Sequence, residues 1–174
     1  MKSVINNSSY ILETERLRLR QFDFGDCPFI IALLNSPGWL RFIGERNVKT
    51  VEQAQTYLKN GPMKSYEQNG FGLCMVETKA CEPIGMCGII RRDSLEHPDL
   101  GFALLPEYTS QGYGFEIGRA VLSYAKNDLK LPTVLAITVP TNTKSIRLLE
   151  KIGFSYVKNI HSESTNEELS LYSA

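Results

Sequence analysis

The sequence predicts a mixed α/β (α+β) fold, with a central sheet of about six or seven strands flanked by about four or five helices. Three observations predict it. The stretch Leu100–Ala125, LGFALLPEYTSQGYGFEIGRAVLSYA, runs from an alternating strand through a glycine-bearing turn into an amphipathic helix. Short apolar runs of period two, or of continuous β-branched character, are interspersed with segments of helical period. A length of 174 residues with 43% hydrophobic content supports one full core and is too short for two. The chain is therefore read as a loose polar segment over residues 1–10 followed by one domain over residues 11–174.

Ile11 to Phe22 alternates Leu17 and Leu19 with Arg16, Arg18 and Arg20, the pattern of one half-buried strand whose arginines form a solvated face, with a substrate-binding role as the less favoured reading. Asp26 reads as an N-cap, with Pro28 in the first turn and Phe29, Ile30, Leu33 and Leu34 as the apolar face of a short helix ending at Asn35. Pro37 and Gly38 break that helix. Trp39, Leu40, Phe42 and Ile43 are too apolar to stand free in water, so the segment to Asn47 either lines a pocket or forms a small second helix sealing the core. Thr50 and Gln53 make a capping box, which starts a helix at about Val51 that Gly61 and Pro62 kink or end before a further turn to about Gln68.

Asn69-Gly70 marks a turn, and Phe71–Glu77 and Pro83–Arg91 read as an antiparallel hairpin across the TKACE loop. Gly85 and Gly88 inside its second strand call for a bulge or a close approach. The loop Arg91–Asp99 leads into the central strand of Leu100, Phe102 and Leu104. In the helix that follows, Ile117, Val121 and Tyr124 recur at core spacing. Thr133–Val139 reads as a strand buried on both faces, Asn142–Ile152 as a helix capped by Gly153, and Phe154–Ile160 with Glu168–Leu171 as a closing pair.

Composition excludes several functions. Nineteen basic and nineteen acidic side chains cancel, so the electrostatic footprint of a nucleic-acid or anionic-membrane binder is missing. No apolar run approaches the roughly 20 residues a membrane span requires, and the N-terminus has no signal-peptide core. Cys27, Cys74, Cys81 and Cys87 form no C-x-x-C pair and the chain has two histidines, so no metal site is expected. Reduced thiols in a cytoplasm fit these features.

The loop before the long helix is an anion site in outline. Gly112 and Gly114 flank Tyr113 where a helix start exposes unpartnered N–H groups at the positive end of the dipole. The spacing is not a P-loop, which needs Lys and Ser or Thr after its second glycine. It is not the dinucleotide fingerprint either, because the third glycine falls at Gly118, one residue too far. A tight turn, with Gly118 easing helix packing, is the plainer alternative.

Two further segments extend the pattern. E-Y-x-x-Q-G-Y-G at Glu107–Gly114, N-x-x-S-x-x-L-L-E-K-I-G-F at Asn142–Phe154 and L-E-T-E-R-L-R-L-R at Leu12–Arg20 together resemble the GCN5-related N-acetyltransferase (GNAT) superfamily. The third motif is similar to the branch that acetylates ribosomal-protein N-termini. The resemblance spans Ile11 to Tyr172 and implies a sheet splayed at its centre, acetyl-CoA as co-substrate, an amine acceptor such as a protein N-terminus, an amino acid or a small amine, and a monomer or homodimer. It implies pantetheine contacts at Phe102 and Leu104, pyrophosphate contacts over Thr109, Gln111, Gly112, Tyr113, Gly114 and Phe115, and a pantetheine contact at Asn142, for which an N-cap is the other reading.

Three positions depart from the family pattern. Thr109 stands where Arg or Gln is usual and Ser110 where glycine is common, which weakens the phosphate site without removing its backbone donors. Leu149 stands where many relatives carry the tyrosine that protonates the departing thiolate. Ser145 becomes the candidate acid, with a capping or packing serine as the alternative. The candidate bases are Asp99 and Glu163, beside His97 and His161. An acyl-CoA-binding domain without turnover is the alternative function that these departures motivate.

Overall fold

The computed structural model describes residues 10–174. The loose segment expected over residues 1–10 lies outside them except for Tyr10, which opens the first strand. One sheet of eight strands runs in the order β1-β2-β3-β4-β5-β6-β8-β7. Its strands are β1 (Tyr10–Glu13), β2 (Leu17–Arg20), β3 (Leu73–Thr78), β4 (Pro83–Ile90), β5 (Asp99–Leu104), β6 (Leu135–Thr138), β7 (Ser155–His161) and β8 (Glu168–Ser173). All neighbours are antiparallel except β5 and β6, the pair joined through the long helix.

The helices are α1 (Cys27–Leu34), α2 (Pro37–Phe42), α3 (Val51–Leu58), α4 (Lys64–Asn69), α5 (Tyr113–Asn127) and α6 (Thr143–Ile152). A π-helical turn, Lys59–Met63, carries Pro62 and joins α3 to α4 in one bent body. That is the kink Gly61 and Pro62 predict, since proline cannot donate into an α ladder. Helices α5 and α6 pack on one face of the sheet with Leu17, Val76, Leu100, Ile117, Val121, Leu149 and Phe154. Helices α1 to α3 pack on the other with Phe22, Ile30, Leu33, Leu58, Met75 and Met86. Among the described residues no helix is long and apolar enough to cross a membrane.

The count exceeds the expected six or seven strands because the segment read as one strand, Ile11–Phe22, is a hairpin. The Thr14 N–H donates to the Leu17 carbonyl at 2.9 Å and Thr14 Oγ1 accepts from the Leu17 N–H at 3.0 Å, closing a turn between β1 and β2. A side chain that bonds its own backbone three residues on interrupts alternation without leaving a glycine or proline as a marker. The solvated arginine face is corrected too. Arg16, Arg18 and Arg20 each pair with a carboxylate, of Glu116, Glu13, and Asp26 with Glu77, respectively.

The Arg20 junction is the tightest of these. Its Nη1 and Nη2 donate to the two oxygens of Asp26, each at 2.9 Å, and its Nε donates to Glu77 at 2.6 Å. This explains a second difference. Asp26 stands at the start of α1, yet its carboxylate makes no cap bond to that helix. It accepts from Arg20 and from the Asp23 N–H, and Asp23 is the residue whose side chain caps the preceding 3-10 turn.

Trp39 to Ile43, read as irregular or a small helix, forms α2 with Trp39 turned into the core. Thr50 and Gln53 make the capping box. The two β4 glycines are explained by close approach, since a Cβ on Gly88 would stand 2.1 Å from the Gly72 carbonyl oxygen and one on Gly85 2.4 Å from that of Ala103.

Arg20→Ala would leave Asp26 and Glu77 buried without their cation, an arrangement that costs about 3–5 kcal/mol. Chemical denaturation of the variant should show a lower midpoint at an unchanged slope, whereas an unaltered midpoint would remove Arg20 from the stability account.

Candidate active site

Strands β5 and β6 pair at a single position, Asp99 with Leu135, and then part. On its other edge β5 is paired with β4 along its whole length, from Asp99 to Leu104. The direction of the free groups follows from alternation. The Leu105 N–H donates to Ile84 on the β4 side, and the Pro98 carbonyl accepts from Leu135 on the β6 side. Even-numbered residues therefore turn their main-chain groups toward β6, and those of Phe102 and Leu104 face the open wedge. Because the two strands are parallel, their carboxyl ends lie on one side of the sheet, and the helices that follow them begin there: α5 after β5 and α6 after β6.

The loop into α5 is built by local bonds. A 3-10 turn, Pro106–Tyr108, is followed by Thr109, whose Oγ1 donates to the Pro106 carbonyl at 2.8 Å, and Gln111, whose Nε2 donates to the Glu107 carbonyl at 2.6 Å. Both side chains thus fold back on the turn. Ser110 takes φ +61° and Gly112 φ +84°. The left-handed region costs a residue with a Cβ about 1 kcal/mol, so Ser110 holds a conformation that glycine adopts freely. Gly112 is the N-cap of α5, no side chain caps that helix, and the first helical bond runs from the Glu116 N–H to the Gly112 carbonyl at 3.0 Å. The N–H groups of Tyr113, Gly114 and Phe115 precede that bond and point out of the helix end.

The other glycines of the motif serve packing. A Cβ on Gly114 would meet Leu148 at 3.0 Å, and one on Gly118 would meet Ile152 at 2.6 Å, so glycine lets α5 lie close against α6. Phe115 carries the Lys151 ammonium 4.6 Å above its ring.

At the start of α6, Asn142 Oδ1 accepts from the Ser145 N–H at 3.2 Å, which is the capping role. Its Nδ2 has no partner among the described residues and is not committed by that bond. Ser145 is half-buried in the first turn of the helix, and Leu149 one turn on is 1% exposed and part of the core.

The candidate bases lie apart. Asp99, read as the end of a loop, is the first residue of β5, 1% exposed, and accepts from Arg92 Nε at 2.9 Å. Burial raises its pKa above the ordinary value of 3.8 against the opposing pull of Arg92. It thus stands where β5 and β6 begin to part. Glu163 is exposed in the turn joining β7 to β8, His161 ends β7, and His97 is half-buried in the loop before β5. The structure does not gather them into one cluster.

An open groove of about 600 Å³ is lined by Arg46, Asn47, Val48, Glu52, Tyr57 and neighbours on α3 and the π turn. Burial raises the Tyr57 hydroxyl pKa, opposed by the charges of Arg46 and Arg92. The Arg92 charge thus acts on both Tyr57 of this groove and Asp99. Of the apolar segment expected to line a pocket, the Asn47 end reaches the groove and Trp39 does not.

Sequence reasoning missed the contact that holds the loop. Thr14 and Arg16, in the turn between β1 and β2, reach Glu116 in the first turn of α5: Thr14 Oγ1 and the Arg16 N–H donate to Oε1 at 2.6 and 2.8 Å, and Arg16 Nε to Oε2 at 2.7 Å. Burial pushes the Glu116 carboxyl up, but these hydrogen bonds outweigh it and hold the group below its ordinary value of 4.5. No local spacing signals a contact between residues about 100 positions apart.

Comparison with known proteins gives four findings. The pattern of the family described as Acetyltransferase (GNAT) domain matches residues 16–155. An uncharacterized N-acetyltransferase of Bacillus subtilis (strain 168), YoaA, is 31% identical over 147 residues, covering 83% of this chain and 82% of that one. Among solved structures, an acetyltransferase from Agrobacterium tumefaciens str. C58 superposes with a TM-score of 0.79 at 26% identity, covering 94% of this chain and 92% of that one. A spermidine N-acetyltransferase from Vibrio cholerae, solved in complex with CoA and spermine, superposes at 0.77 with 19% identity, covering 92% and 96%, which shows a shared fold.

A depressed carboxylate contributes stability that is present above its ordinary pKa and lost as pH falls through the lowered one. Glu116→Gln should therefore cost roughly 1 kcal/mol at neutral pH, and its gap to the wild type should close below about pH 4.5. Melting curves across pH check this, and a gap independent of pH would refute it.

Proposed function

Since the chain belongs to the GNAT acetyltransferase family and is an acyl-CoA-dependent acetyltransferase, we propose that it moves the acetyl group of acetyl-CoA onto a primary amine by direct attack in a ternary complex. The observation that carries this reading is the wedge: an unpaired β5 edge leading straight to an uncapped helix start.

The pantetheine arm adds to β5 as a strand would, its amides meeting the main-chain groups of Phe102 and Leu104. The pyrophosphate rests on the N–H groups from Gln111 to Phe115, with Thr109 bracing the loop through its bond to Pro106. Asn142 can both cap α6 through Oδ1 and donate Nδ2 to a pantetheine carbonyl, so its two readings are compatible.

The neutral amine nitrogen attacks the thioester carbonyl, a C–N bond forms, and collapse of the tetrahedral adduct breaks the C–S bond and expels the CoA thiolate. The ammonium proton leaves through water to Asp99, which we favour over the exposed Glu163 because it stands where β5 and β6 part and burial raises its pKa above the ordinary value. Ser145 relays a proton to the thiolate, since Leu149 has none to give. The acceptor is a primary amine, with a protein N-terminus supported by the L-E-T-E-R-L-R-L-R motif, and it enters past Arg46 and Tyr57. The free cysteines are in keeping with a cytoplasmic protein, and the family resemblance with a monomer or homodimer. A domain without turnover is not favoured, because the match extends to N-acetyltransferase relatives.

Calorimetric titration with acetyl-CoA beside CoA and ATP, followed by a free-thiol assay with amines and peptide N-termini, tests the proposal. Micromolar binding of both CoA species with amine-dependent thiol release is the expected result. Folded protein that binds neither would overturn it. Asp99→Asn should lower kcat/KM by about a hundredfold or more and flatten the loss of activity on the acid side. An acid limb that persists there and vanishes in Glu163→Gln would move the base to Glu163.

A further inference from the structure

The loop that meets the donor's phosphates carries no cation of its own, since residues 109–115 read TSQGYGF. A guanidinium reaches it from the far end of the chain. Arg16 donates from Nε to Glu116 at 2.7 Å and from Nη1 to the Gln111 carbonyl at 3.0 Å, and its guanidinium carbon lies 4.4 Å over the Tyr113 ring. Nη2 lies 3.2 Å from the position a Cβ on Gly112 would take.

Three constraints therefore fix the plane of this group. Nη2 donates to no protein acceptor among the described residues, and the side chain is 43% exposed, so a ligand can reach it. The Glu116 oxygens accept from Thr14, from the Arg16 backbone and from Nε, so the carboxylate is already engaged by donors of the β1–β2 turn. A planar donor held in advance beside outward N–H groups suits a phosphoryl oxygen, because little rotamer entropy is left to lose on binding.

We propose that Arg16 is a donor-binding residue whose Nη2 holds a phosphoryl group of the acyl-CoA, so that the turn between β1 and β2 completes a phosphate site to which the α5 loop brings no charge. The inference rests on the acyl-CoA reading above. The donor offers this chemistry twice, in its pyrophosphate and in its 3′-phosphate.

The test compares the full-length wild type with Arg16→Gln and Arg16→Lys, titrating each with acetyl-CoA and with 3′-dephospho-acetyl-CoA and following folding by circular dichroism. Arg16→Gln should weaken acetyl-CoA about tenfold or more, and Arg16→Lys, which keeps the charge but not the fork, should recover most of that loss. A loss confined to acetyl-CoA assigns the contact to the 3′-phosphate, and an equal loss for both donors assigns it to the pyrophosphate. Either supports the proposal. Equal losses in the two variants would mean that Arg16 only braces the loop, and no loss in either would mean that it does not touch the donor. Each of those outcomes overturns the inference while the wild type still binds. Wild-type protein that binds neither donor overturns the acyl-CoA reading itself, and this inference with it. Should Arg16→Gln not fold, the Lys variant decides: affinity within about threefold of wild type supports a charge contact, and a loss of tenfold or more refutes it.

Discussion

The parting of β5 from β6 after one paired residue is the constraint on which the rest of the candidate site depends. A strand inside a sheet ordinarily satisfies both edges, and backbone groups left open in a half-buried position need a partner. Here one edge of β5 is fully used by β4 and the other is open from Phe102 onward. Parallel pairing adds a second consequence, because it sends α5 and α6 off from the same side of the sheet. The wedge is thus flanked by two helix starts, one of which no side chain caps.

The sheet keeps its wedge because other junctions are tight. The chain has no net charge, yet three of its arginines are placed on partly or fully buried carboxylates that position the elements around the wedge. Arg20 ties β2 to β3 and to the start of α1, Arg92 holds Asp99 at the apex of the wedge, and Arg16 ties the first hairpin to α5. Each ion pair is backed by at least one low-exposure carboxylate, where screening by water is weak. Overall neutrality therefore coexists with strong local fields, and the composition argument against polyanion binding says nothing about a single phosphate site.

Residues whose structural reason is local were legible in the sequence. The Thr50–Gln53 box, the Gly61-Pro62 kink, the αL end of α4 at Gly70 and the Asn142 cap all involve partners within a few positions, so spacing alone carries them. The misreadings involve polar side chains whose partners no spacing rule marks. The break between β1 and β2 is made by a threonine that leaves no glycine or proline signal, and Asp26 reads as a helix cap because no spacing rule reveals Arg20 and the Asp23 N–H as the donors that take its carboxylate. Local pattern puts Asp99 at the end of a loop, and its burial follows from pairing with Leu135 across a crossover helix.

By itself the sequence determined the order and type of most elements, the β1–β2 break and α2 excepted, and the glycine turn before α5. The motif resemblance carried the family. Short-range chemistry and hydrophobic period set the first two, and ordered motifs at fixed spacing set the third. Only the tertiary structure decided which edge of β5 is open, that Arg16 lies against the α5 loop, and that Asp99 stands buried at the point of the wedge. These depend on contacts between positions far apart in the chain, whose register is chosen by packing and charge burial, and no local pattern encodes that choice.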